Sequence, residues 1–94
     1  MFNITYSPTV EDTLSALKDV KRGKKISKAF DNLARDPTYP GLRCRPVKGT
    51  EPTEWGKPVW FGDIENHTPG AWRFIWAYGP AEGELTVLWV GPHP

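Results

Sequence analysis

The stretch WRFIWAYGPAEGELTVLWVGPHP, residues 72–94, decides the fold. Two apolar arms, 72–78 and 84–90, flank GPAEG, a connection of the length normal for a β-hairpin. On the first arm Trp72, Phe74, Trp76 and Tyr78 alternate with Arg73, Ile75 and Ala77, so the aromatics share one face of a strand. The second arm becomes apolar on both faces toward its end, which predicts a central strand. One arginine, Arg73, and one histidine, His93, stand out in this setting. Either they are structural exceptions in a core hairpin, or the hairpin presents them.

Working outward, 94 residues make a single domain, 1–94. A chain of this size buries roughly 60–70% of its unfolded surface, enough for one core. Five Trp, four Phe and three Tyr make that core aromatic, and the composition is globular despite ten prolines. A single cysteine, Cys44, excludes an internal disulfide framework and a Cys-cluster zinc site, and fits a reducing compartment. MFNITYSP lacks the charged and apolar regions of a signal peptide, and no apolar run approaches the roughly 18 residues that span a membrane. The expectation is a cytoplasmic protein with no membrane association.

Residues 2–6 alternate with period two and predict a short strand. Pro8 suits a first helical turn, and Thr9 with Asp12 has capping-box spacing. Val10, Leu14, Leu17 and Val20 then recur at helical spacing as one apolar face, and Gly23 reads as the break before a second helix. Ile26, Ala29, Phe30 and Leu33 stripe that helix, which ends near Arg35-Asp36 because Pro37 disfavours helix before it. DPTYPG at 36–41 is a loop, and 42–47 alternates as a strand with Arg43 and Arg45 on one face. Pro46 marks an edge or a strand end, 49–58 is an acidic loop, 59–64 is a strand and 65–71 a long turn. The order is β-α-α-β-β-β: an α+β fold in which an antiparallel sheet carries an N-terminal helical hairpin on one face.

The net charge of +1 hides a segregation. Lys18, Lys21, Arg22, Lys24, Lys25 and Lys28 face only Asp19 within residues 18–28, whereas 51–65 and 82–84 hold six acids and only Lys57. The basic run is either a solvated helix face or a docking surface for a polyanionic partner.

This order of elements, with particular residues in place, resembles the RelE/ParE superfamily of toxins from toxin–antitoxin pairs. The residues carrying the resemblance are Ser7-Pro8, Lys28-Ala29-Phe30 with Leu33 and Asp36-Pro37, Gly41-Leu42-Arg43, Arg45-Pro46-Val47-Lys48-Gly49, Trp72-Arg73-Phe74-Ile75-Trp76, and Leu88-Trp89-Val90-Gly91-Pro92-His93. They span nearly the whole chain. The resemblance implies a toxin neutralised by a cognate antitoxin, with a toxin–antitoxin hetero-oligomer as a possible assembly. It includes ribosome-dependent mRNA endonucleases, gyrase inhibitors and non-toxic proteins, so activity rests on the site.

RNA cleavage requires a group that takes the 2′-hydroxyl proton, cations for the developing phosphorane charge, and a proton for the leaving oxygen. In the family this is done without metal or other cofactor. Here His67 and His93 have no third ligand at metal-site spacing. Carried over, Arg73 and His93 are the catalytic candidates. Arg43, Arg45 and Lys48 are the phosphate-contacting row, joined by Lys57 and His67. Asp63 stands with Lys57 near the strand that supplies catalytic groups in nuclease members. Arg73 could instead face solvent or pair with Glu84, Arg43 and Arg45 could be solvated strand charge, and either histidine could be a surface residue. Residues 59–65 carry no cation, which suits a gyrase inhibitor better than a nuclease.

Overall fold

The computed structural model describes residues 1–66 and 68–93; the candidate His67 lies outside the described residues, as does Pro94. Strand β1 covers Asn3–Tyr6 and leads straight into helix α1, Pro8–Ala16. The capping-box pattern points to Thr9, but Ser7 is the cap: its hydroxyl oxygen accepts from the Val10 N–H at 3.3 Å and its O–H donates to the Leu88 carbonyl at 2.9 Å. The hydroxyl one residue before Pro8 wins because Pro8 takes the first helical position, where a missing N–H costs nothing.

Gly23 does not break the helices. Leu17 leaves helical geometry (ψ 125°), so Val20 does not extend the α1 face but opens helix α2, exposed, and α2 runs Val20–Arg35 straight through Gly23. Asp19 caps it by accepting from the Arg22 N–H at 3.0 Å. A mid-helix glycine costs about 1 kcal/mol, less than the cap and the burial of Ile26, Ala29, Phe30 and Leu33 together contribute.

After α2 the expected strand over 42–47 is mostly absent. Pro40–Leu42 forms a 3-10 turn pinned by buried Leu42, Arg43 takes a left-handed conformation at φ 50°, and strand β2 is only Arg45–Pro46. Prolines at 40 and 46 cannot donate to a ladder, which leaves so short an edge. Strands β3 (Trp60–Asp63), β4 (Trp72–Tyr78) and β5 (Glu84–Pro92) complete a sheet of order β1-β5-β4-β3-β2. β2 through β5 pair antiparallel as the pattern predicts, and β5 lies inside the sheet. β1 adds beside β5 in parallel, so the sheet is mixed.

The helices cover one face. Val10, Ile26, Phe30 and Leu33 pack on Phe74, Trp76, Leu85, Val87 and Val90, all nearly inaccessible. Phe74 crosses Phe30 edge-on at 5.3 Å and lies over Gly62, where a methyl would come within 2.3 Å of its ring. Val87 and Val90, three apart, could not both face the core in a regular strand. A bulge makes it possible: Ile75 pairs with Trp89 but Trp76 with Val87, leaving Leu88 unpaired. No described helix is long and apolar enough to cross a membrane.

Candidate functional site

Strand alternation sends Arg45, Phe61, Asp63, Arg73, Ile75, Trp89 and Gly91 to the face without helices. The register aligns them in rungs: Asp63 opposite Arg73 opposite Gly91, and Arg45–Phe61–Ile75–Trp89 beside it. At the end of this face a cavity of about 780 Å³ opens between Arg43, Arg45, Asp63, Glu65, Arg73, His93, Asn66 and the segment 68–71.

The arginines are held differently. The left-handed kink at Arg43 turns its side chain toward β3, so Arg43 Nε reaches Asp63 Oδ2 at 3.8 Å and Arg45 Nη1 reaches Oδ1 at 3.3 Å. Arg45 also donates to the Arg43 carbonyl at 2.8 Å. Phe61 is flanked by two guanidiniums, Arg73 at 5.0 Å and Arg45 at 5.5 Å. Arg73 has no carboxylate partner among the described residues. Glu84 is not one: it sits at the far end of β5 and accepts from the Ala81 N–H at 3.0 Å. The ring beneath Arg73 fixes the guanidinium without neutralising it.

His93 follows β5 directly, and its N–H donates to the Ala71 carbonyl at 2.8 Å, tying it to the loop that walls the cavity. Gly91, opposite Arg73, is two residues before it, so His93 comes to the same end of the sheet.

Glu65 supports this wall from behind. Its carboxylate accepts from Arg22 Nε and Nη2, both at 3.2 Å, from Lys25 Nζ at 3.5 Å and from the Trp72 N–H at 3.1 Å. Burial opposes its charge, but Arg22, the Trp72 N–H and Lys25 together outweigh burial and hold the carboxyl below the usual carboxylate range. Arg22 further stacks on the Trp72 ring at 4.9 Å. Part of the basic run on α2 thus fastens the cavity loop to the helix.

Of the candidates read from sequence, Arg43, Arg45, Arg73 and His93 come together, with Asp63 between the first two. Lys48 and Lys57 are exposed and do not line the cavity. Lys57 belongs to a loop in which Trp55 donates to the Tyr78 carbonyl at 2.6 Å, at the opposite end of β4. Glu65 was not legible as a site residue: its partner Arg22 is 43 positions away, and nothing local marks the pair. Among the described residues no three His, Cys, Asp or Glu side chains group as metal ligands. Electrostatically the cavity can hold an anion at Arg73, and His93 lines the same cavity.

A helical hairpin laid on one face of a five-stranded sheet, with an arginine-walled cavity on the other, defines a recognisable class of small α+β proteins. No protein-family model matches the chain, and no curated protein matches its sequence. Solved structures do match. A chain of the archaeal RelE–RelB complex from Pyrococcus horikoshii OT3 superposes with TM-score 0.70 at 13% identity, over 97% of this chain and 93% of that one. A YoeB/ParE toxin from Agrobacterium tumefaciens superposes with TM-score 0.74 at 18% identity, over 99% and 100%. The chain has the RelE/ParE toxin fold.

Proposed function

We propose that this protein is the toxin of a type II toxin–antitoxin pair, acting as a metal-independent endoribonuclease on mRNA in the ribosome. The observation that carries this reading is Arg73, ring-supported and without a carboxylate partner among the described residues, in an open-face cavity shared with His93. Arg73 holds the scissile phosphate and stabilises charge on its oxygens as the 2′-oxygen attacks. The 2′-hydroxyl proton passes to a base and the leaving 5′-oxygen takes a proton; His93 serves one of these transfers. Arg43 and Arg45 guide the backbone on either side, their charge tempered by Asp63. Lys48 and Lys57 remain candidates for RNA contacts away from the scissile bond, and His67 remains a candidate RNA contact. A cytoplasmic location goes with this role.

The antitoxin partner is supported by the similarity to a RelE–RelB complex. A candidate surface for it is a groove of about 430 Å³ lined by Tyr6, Leu14, Leu17, Val20, Ile26 and Phe30, with Lys18, Asp19 and Asp31 as its charged residues. Val20 is 71% exposed there. A disordered segment would set apolar anchors into it, with its acidic residues placed to meet the lysines of the 18–28 run.

A second reading is a ParE-like gyrase inhibitor that binds without hydrolysis. Asp63 favours it, since the carboxylate engages two of the three cavity arginines. Expression in cells separates the readings. Growth arrest with ribosome-dependent transcript cleavage supports the nuclease; arrest with intact transcripts and lost supercoiling supports the gyrase inhibitor; harmless expression refutes both.

A further inference from the structure

Four of the five tryptophans have structural partners. Trp60 and Trp76 stack on each other at 5.8 Å, Trp72 carries Arg22, and Trp55 donates to Tyr78 while covering Gly79. Trp89 is different. It lies on the open face, half-buried, and its indole makes no ring contact and no hydrogen bond among the described residues. A partly accessible aromatic ring on the helix-free face, with no ring or hydrogen-bond partner of its own among the described residues, leaves a flat π-surface that a planar ligand can cover.

Its placement is built. The bulge at Leu88 turns Trp89 to the open face while Val87 and Val90 stay in the core. The indole's six-membered ring then lies over Gly91, where a methyl would approach it to 2.7 Å, so only glycine lets the ring lean that way. Gly91 is the residue opposite Arg73. The indole therefore leans along β5 toward the rung of the phosphate-seeking guanidinium. Arg73 itself lies over Phe61, so that cation does not cover the indole.

We propose that Trp89 is a stacking platform for an unpaired nucleobase, the base next to the phosphate held at Arg73. This rests on the RNA reading given above and adds to it a base-contacting subsite separate from the catalytic groups. An unpaired base next to a bound phosphate presents a flat π-face, and an indole accepts any base without reading its edge. The subsite selects single-stranded over duplex nucleic acid, because a paired and stacked base cannot lie on it.

The test is fluorescence anisotropy of a short labelled single-stranded RNA, an otherwise identical RNA with one abasic site at each position in turn, and a DNA of the same sequence. Trp89→Ala weakens RNA binding by roughly 5- to 150-fold, the range for loss of one stacked base. Trp89→Phe recovers much of that loss. One abasic position weakens the wild type similarly and leaves Trp89→Ala unaffected, and the same pattern on DNA supports the base as the ligand. Arg73→Ala lowers the salt dependence by about one ion, whereas Trp89→Ala leaves it unchanged. Circular dichroism matching the wild type confirms that each variant is folded. If Arg73→Ala weakens binding and folded Trp89→Ala does not, the platform is wrong and the RNA reading stands. If the wild type binds no oligonucleotide and cleaves none on ribosomes, both fall.

Discussion

Replacing Arg22 by alanine tests how the cavity wall is held. The guanidinium makes two hydrogen bonds of 3.2 Å to Glu65, whose side chain is only 10% exposed, and stacks on Trp72. Stranding a fully buried charge costs about 3–5 kcal/mol. This seam is at the surface, however: Arg22 is 30% exposed, and Lys25 at 3.5 Å can take over part of its role. Solvent screening and that second cation reduce the expected loss to about 1–2 kcal/mol. Urea unfolding at neutral pH measures it as a lower midpoint at unchanged slope. The pH dependence gives an independent handle. Because Glu65 has a lower pKa folded than unfolded, its contribution is fully present above the unfolded value near 4.5 and is lost as pH falls through the folded value. Glu65→Gln therefore loses less stability than the wild type on acidification from about pH 5. It keeps the part due to Asp19 and Asp36, which the Arg22 N–H and Thr38 hold below their usual range. An Arg22→Ala protein as stable as the wild type, or identical acid profiles for wild type and Glu65→Gln, refutes the reasoning.

Other substitutions probe the framework. Ser7→Ala removes both the α1 cap and the bond to Leu88, costing about 1–2 kcal/mol by thermal or urea unfolding, while Thr9→Ala stays within about 0.5 kcal/mol. Gly23→Ala raises stability by about 0.5–1 kcal/mol, because the site is helical and the nearest foreign atom, in Leu17, is 3.8 Å from the added methyl. Gly62→Ala does the opposite, forcing Phe74 from its place and lowering stability by about 1–3 kcal/mol.

The elements legible in the sequence are those with strong local periodicity. The aromatic alternation of 72–78 and the Ile26/Ala29/Phe30/Leu33 stripe each define a face, and both faces meet in the core. The capping-box spacing pointed to Thr9, whereas Pro8's place in the first turn makes Ser7 the cap. Gly23 looked like a boundary because a glycine's cost is local whereas the α2 stripe that overrides it extends over about two turns. The left-handed kink at Arg43 was hidden, since alternation alone put Arg43 and Arg45 on one face of a strand that barely forms. They nonetheless converge on Asp63, by a turn and not by alternation. The bulge leaves a trace readable in retrospect: three consecutive apolar residues, Leu88, Trp89 and Val90, follow Val87 where a regular strand would alternate. Glu65 has no such trace, because an ion pair between distant segments leaves no local pattern.

The most direct measurement maps mRNA cleavage on purified translating ribosomes by primer extension, comparing wild type with Arg73→Ala. Cleavage within the codon of the ribosomal A site by the wild type, falling by roughly 100-fold or more in the folded variant, is the predicted result. Intact mRNA with the wild type, or equal cleavage by both proteins, contradicts it.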